Sequence, residues 1–242
     1  MKAGPNPDAN AEDAPSTDRK SALGDALRHR VISMEMRPGA IVDELALTEE
    51  FGLSRPPVRE LMRQMAAEGY IELETNRPAR VSSMNYQSLR SFFLAAPLIY
   101  IVTTQLAATN ATPADVDRLR KIQQRLKIAI EENDVDGRVH YNNRFHLEIG
   151  KIAQNDYLMP SLHRLLIDHA RLGKIFYRYP VAGNTPRDMA DAVDQHEQII
   201  DAIAQHDAVT ASELVRAHWE LSRIRMAEYT VPEGINVPIG IV

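Results

Sequence analysis

From Ser21 to Met34 the apolar residues Leu23, Leu27, Val31 and Met34 recur at spacings of four, four and three. That period predicts one buried stripe on an amphipathic helix, stopped by Arg37-Pro38-Gly39. Leu45, Leu47 and Phe51 mark a second, short helix ending at Gly52, whose missing Cβ permits a left-handed turn. Ser54 is expected to N-cap a third helix, with Pro56 and Pro57 in its first turn, Val58, Leu61, Met62 and Met65 as its buried stripe and Gly69 at its end. Tyr70, Ile71 and Leu73 before the run TNRPA, and Val81 after it, alternate with polar residues as a small hairpin does. Past Met84 the pattern is helical only, up to about Thr230. Starts at Thr112-Pro113 and Thr185-Pro186 each combine a cap, a proline and an acid at the positive end of the helix dipole. Five to seven helices fit there.

The expected class is therefore mainly α, an N-terminal winged helix-turn-helix plus a C-terminal all-helical antiparallel bundle. Residues 20–83 form the first domain and 84–230 the second. Residues 1–19, rich in Pro, Asp, Asn and Ala, read as a disordered leader, and residues 231–242 as an extended tail.

The 242 residues are 44% hydrophobic and 25% charged, the balance of a chain that buries a core. There is no cysteine, which excludes disulfides, thiolate metal sites and a thiol nucleophile, so any metal must be held by His, Asp, Glu or Asn. No stretch approaches about 18 uninterrupted apolar residues and the first twenty lack a secretory core, so a cytoplasmic protein without a membrane partner is expected. The net charge of −5 opposes non-specific adhesion to nucleic acid without excluding a local basic surface.

Such a surface is present in the spacing. Arg55, Arg59 and Arg63 stand at i, i+4 and i+8 on the side of the third helix away from Val58, Leu61 and Met65, and Arg77 and Arg80 lie in the hairpin. Cations on a helix after a short turn, flanked by a basic wing, suit entry into the major groove. The bland alternative is a solvated face, since cations and acids nearly balance over residues 20–83.

In the second domain Asn142 and His146 are i and i+4 on one helix, and His196 and His218 fall on two later helices separated by a break near His206. One amide oxygen and three imidazoles inside a bundle suit Zn²⁺, Ni²⁺, Mn²⁺ or Fe²⁺ better than Ca²⁺ or Mg²⁺. With eight histidines in the chain, each is as readily a surface or core residue as a ligand. A metal-dependent bundle enzyme is a second reading. Against it, Glu148 and Glu197 stand two residues and one residue from candidate ligands and so face elsewhere, which leaves no obvious general base. A bundle that serves dimerisation alone is a third.

The run from Met34 to Val81, with RPG, LALTEEFGLSRPPVRELMRQMAAEG and NRPARV, resembles the winged helix-turn-helix of the GntR family of bacterial transcription regulators. The resemblance implies double-stranded operator DNA as partner, touched by Arg55, Arg59 and Arg80 with the helix around Ser54 to Arg63 reading bases; with the cations of the spacing argument the expected DNA-binding set is Ser54, Arg55, Pro57, Arg59, Arg63, Arg77 and Arg80. NRFH at 143–146, the histidine of QHEQ and AHW at 217–219 resemble the effector domain of the FadR/VanR branch. That implies a metal held by Asn142, His146, His196 and His218, and a small carboxylate effector held by the metal. It also implies a repressor, working as a homodimer on two-fold DNA sites.

Two departures carry expectations of their own. Pro78 stands where the family's wing has Gly, so a differently shaped tip is expected. In FFLAAPLIYIVTTQLAA, Pro97 should kink or split the helix, and the family's Arg is missing, which leaves Arg171 and Arg223 as candidate effector anchors. The apolar surface of that helix reads as packing in a dimer or domain interface.

Overall fold

Leu23, Leu27 and Val31 do form one buried face, on α1 (Ser16–Ile32). The computed structural model describes residues 16–178 and 185–230, and the chain divides into two units after Ser82. The helix begins at Ser16, inside the expected leader, and Arg19 donates to the Gly52 carbonyl at 3.1 Å. The rest of the leader and the tail at 231–242 lie outside the described residues. The helix also ends earlier than the RPG run, so Met34 falls beyond it, in a turn with φ 64°.

Next come α2 (Glu44–Phe51), α3 (Arg55–Glu68), β1 (Ile71–Glu72) and β2 (Arg80–Val81), the strands antiparallel with Ile71 opposite Val81. Asp43 caps α2 by accepting from the Leu45 and Ala46 amides. Gly52 closes α2 at φ 58°, where a Cβ would be strained, and turns the chain directly into α3. Ser54 occupies the N-cap of α3 but its side chain makes no capping bond, contrary to expectation; the prolines supply the preset φ instead. Leu45, expected to face inward, is 50% exposed, because this short helix turns Leu47, Thr48 and part of Phe51 toward the core instead.

Val58, Leu61, Met62 and Met65 meet Leu23, Leu27, Leu47 and Val81 in the core of this unit. A bidentate pair from Arg28 to Glu68 fastens α1 to the end of α3. The wing has a third edge that the hairpin pattern did not show. Val42 donates to the Ala79 carbonyl and Val81 to the Ala40 carbonyl, both at 2.9 Å, so residues 39–42 run beside β2.

The second unit holds six helices among the described residues: α4 (Tyr86–Asn110), α5 (Pro113–Glu131), α6 (Val135–Ile152), α7 (Met159–Arg178), α8 (Thr185–Ala204) and α9 (Ala208–Thr230). Asn85 caps α4, Thr112 and Asp115 form a full capping box on α5, and Asp134 caps α6. Helix α4 packs on α6, α7, α8 and α9, while α5 packs on α6 and α8. Phe92, Phe93, Tyr100 and Trp219 form an edge-packed aromatic cluster in this core. Gly150 sits where α6 meets α7, and a Cβ there would collide with the end of the Leu162 side chain.

Pro97 does not split α4, which continues through it as one helix, with Pro97 itself buried. By length and composition α4 could cross a bilayer, yet half of its most apolar window is buried inside the bundle. Its other side carries Leu94, Leu98 and Val102, spaced by four and 40%, 58% and 41% exposed.

Candidate functional site

The turn at Gly52 and the prolines of the first turn aim one side of α3 away from the core. Arg55, Arg59 and Arg63 are all exposed on that side, as their spacing predicts. Glu44, at the start of α2, lies against two of them: Arg59 Nε is 2.8 Å from one of its carboxylate oxygens and Arg55 Nε 3.9 Å from the other. Arg77 pairs with Glu74 at the wing tip, and Arg80 donates to the Gly39 carbonyl at 2.8 Å, bracing the third edge. Ser54 and Pro78 are exposed and Pro57 is half-buried at the foot of α3. Arg55, Arg59 and Arg63 thus share one accessible ridge, with Glu44 the counter-charge beside the first two.

In the second unit, His146 on α6, His196 on α8 and His218 on α9 come together. All three are buried, with imidazole nitrogens within 4.8 Å of one another. The hydrogen bonds around them fix which nitrogen carries the proton. His196 Nδ1 lies 3.0 Å from Gln123 Oε1, and the amide of Gln123 is oriented by its own donation to the Val193 carbonyl. His218 Nδ1 lies 3.0 Å from Gln195 Oε1. An amide oxygen only accepts, so both Nδ1 atoms donate and both Nε2 atoms present lone pairs.

Those two lone pairs face each other across 3.1 Å, and the Nε2 of His146 is buried without any partner. Two acceptors at that separation repel unless a cation lies between them. Two nitrogens at tetrahedral positions, about 2.0 Å from one ion, would be roughly 3.3 Å apart. The donor set therefore fits a divalent transition metal: three neutral imidazoles, two held in tautomer by glutamine oxygens, as outer ligands hold metal-binding histidines.

Burial also keeps the rings neutral. It pushes His146 and His196 well below the usual histidine range, helped by the neighbouring imidazoles, and holds His218 down to about 3. His169 on α7, which spacing did not single out, is held down to about 4 by burial and hydrogen-bonds the Tyr100 hydroxyl through Nδ1 at 2.7 Å.

A cavity of about 50 Å³ adjoins His218, lined also by Asn142, His169 and largely apolar side chains. Asn142 thus borders the same space as His218, one turn before His146. Arg171 and Arg223 do not line it. Arg171 is fully buried and committed to Asp168 at 3.0 Å, because a guanidinium taken out of water needs its carboxylate. Arg223 pairs with Glu220. Glu148 pairs with Arg118 and Lys151, and Glu197 with Lys127, so neither faces the histidines as a general base. The signals missed in the sequence are Gln123, Gln195, Tyr100 and His169; each lies on a helix whose partner is set only by packing.

Residues 19–81 match the bacterial regulatory proteins of the gntR family, and residues 101–221, half of the chain, match the FCD domain. The chain belongs to the GntR family of regulators. Within that family it is 27% identical over 196 residues to the HTH-type transcriptional repressor GlaR of Escherichia coli, covering 79% of this chain and 88% of that one. It is 24% identical over 203 residues to the HTH-type transcriptional regulator LutR of Bacillus subtilis, covering 76% and 90%. The solved structure of E. coli McbR/YncC shares the fold, with a TM-score of 0.74 at 17% identity over 87% of this chain and 98% of that one. The GntR head and its relatives make the chain a DNA-binding transcription regulator and not an enzyme.

Proposed function

We propose that this regulator represses transcription in the bacterial cytoplasm. In this reading it binds operator DNA through the arginine ridge of α3 and the wing, and senses a small carboxylate through a divalent transition metal (Zn²⁺, Ni²⁺, Mn²⁺ or Fe²⁺) held by Asn142, His146, His196 and His218. The observation that carries the metal is the pair of Nε2 lone pairs facing each other at 3.1 Å, each ring anchored behind by a glutamine oxygen. Repression is supported by relatives named as repressors, GlaR and the gluconate operon repressor of Bacillus subtilis. With asparagine rather than aspartate at 142, all four ligands are neutral, so the bound cation keeps its charge and attracts an anion. The metal would supply that charge and an open position for one carboxylate oxygen. The chain's own part is to hold the imidazoles in tautomer and keep water from the pocket. An effector alters DNA binding only by favouring one arrangement of the heads, and a coupling of about 1–3 kcal/mol is ordinary.

The test uses the full chain loaded with Zn²⁺ and a DNA fragment from upstream of its own gene. Affinity should fall linearly on a log–log salt plot, by about 0.9 per phosphate neutralised, and should change severalfold when a small carboxylate is added. No salt dependence would remove the DNA reading, and indifference to every carboxylate tried would remove the sensor.

The reading includes a homodimer, with the exposed stripe of α4 as its contact. Leu94, Leu98 and Val102 are spaced for helix-to-helix packing, and α4 is apolar on both sides of its axis, as an interface helix is. Leu98→Glu should shift the chain from dimer to monomer in analytical ultracentrifugation at micromolar concentration while leaving its circular dichroism unchanged. A variant that stays dimeric would move the interface elsewhere.

A further inference from the structure

The cavity lined by His218 carries a fourth imidazole that the proposed ligand set does not use, its ring 5.2 Å from that of His146. His169 is buried on α7, and its Nδ1 lies 2.7 Å from the hydroxyl of Tyr100 on α4, itself buried. Were Nδ1 to hold the proton and donate to the phenol oxygen, the phenol O–H would be left without an acceptor in the core. The hydroxyl therefore donates to Nδ1, and the neutral ring carries its proton on Nε2. Tyr100 is not part of the cavity lining whereas His169 is, so the ring meets the cavity by its opposite edge, the edge with Nε2. This tautomer is the reverse of that in His196 and His218, and it turns a donor toward the cavity that His218 also lines.

The rest of the lining limits what can accept from it. Val139, Ala170, Met189, Ala192 and Leu221 are apolar, and among the described lining residues there is no lysine or arginine. Among the described lining residues a second carboxylate would meet the hydroxyl groups of Tyr177 and Ser222 but no counter-charge. The volume of about 50 Å³ has room for only a few water-sized groups.

We propose that His169 is the residue that reads the effector: its Nε2–H donates to one oxygen of a short monocarboxylate whose other oxygen faces His146, His196 and His218, while Tyr100 holds the ring in the required tautomer. The proposal rests on the metal-and-carboxylate reading above and adds to it the reader and the class of acid, a short aliphatic monocarboxylate in preference to a dicarboxylate.

The experiment compares butyrate with succinate by calorimetry on Zn²⁺-loaded full-length protein, in the wild type, His169→Asn and His169→Gln, with zinc content measured for each. The glutamine amide nitrogen reaches the position of Nε2; that of asparagine reaches only the position of Nδ1. Butyrate should bind the wild type at least tenfold more tightly than succinate does. It should lose about 10- to 100-fold in His169→Asn and stay within a few-fold in His169→Gln, with zinc at wild-type content in both. A long-range ¹⁵N–¹H spectrum should show His169 protonated on Nε2 in the wild type and a mixture of tautomers in Tyr100→Phe. Equal butyrate affinity in wild type and His169→Asn overturns the proposal, as does loss of zinc from His169→Asn alone, which would make His169 a ligand. Succinate binding as tightly as butyrate overturns the assigned acid class. A wild type that holds no zinc, or holds zinc and answers neither acid, brings down the sensor reading itself, and shows this before any variant is made.

Discussion

Replacing His196 by alanine is expected to empty the histidine centre: metal analysis should fall from about one zinc per chain to near none, with affinity reduced by more than the 10- to 100-fold that loss of an outer partner costs. The reason is geometric. His196 is one of three donors, with its Nε2 3.1 Å from that of His218 and its ring 5.5 Å from that of His146, and no other described His, Asp, Glu or Cys joins these three as a fourth nearby donor. Its ring also stacks on Phe145 at 4.0 Å, so alanine leaves a hole in the core as well as a missing ligand. His196→Gln fills more of that space and separates the two effects, and Gln123→Leu removes only the outer hydrogen bond. The expected order of zinc affinity is wild type, then Gln123→Leu, then His196→Gln and His196→Ala together at the bottom. Zinc at a hundred times its dissociation constant should stabilise the wild type by about 2.7 kcal/mol, read as a rise in melting temperature, and should leave His196→Ala unmoved. Full zinc content in the alanine variant would refute the ligand assignment.

Arg59→Ala is expected to weaken operator binding about 10- to 100-fold, the scale of one lost arginine contact to a base edge, and to do so without lowering the melting temperature appreciably. The side chain is exposed and its pairing with Glu44 is an exposed ion pair of the kind that contributes little to folding. The same pairing gives the prediction a second arm of opposite sign. Glu44 must release Arg59 before the guanidinium can reach DNA, and its own carboxylate faces the phosphates when it does, so Glu44→Ala should tighten operator binding severalfold. If Arg59 contacts phosphate instead of a base, the variant lowers the salt slope by about one unit and weakens all sequences alike; if it reads a base, discrimination at one position relaxes. Arg59→Ala with unchanged operator affinity would remove α3 as the reading helix.

The two halves of the chain differ in how much their sequence disclosed. In the head, local rules did most of the work. Leu23, Leu27 and Val31 announce α1, Gly52 with Pro56 and Pro57 announces the turn into α3, and arginines at intervals of four fall on the exposed side because the apolar residues between them claim the other. The errors there are also local: Ser54 has the right place for a cap but makes no capping bond, and Leu45 is exposed because an eight-residue helix turns only a narrow face inward. The strand-like edge at residues 39–42 was invisible because its partner, β2, lies some forty residues away.

By itself the sequence determined periods and spacings: a helical stripe, a tight turn, an arginine ridge, and an asparagine and a histidine one turn apart on α6. These follow from backbone geometry that repeats every few residues, and any chain with that pattern inherits them. The tertiary structure alone decided that His146, His196 and His218 share one point, that Gln123 and Gln195 set two of their tautomers, and that Tyr100 sets His169 the opposite way. It also decided that Arg171 turns to Asp168 and away from the cavity. Those outcomes depend on contacts between residues up to 73 apart, fixed by the packing of six helices against one another, and no period along the chain encodes them.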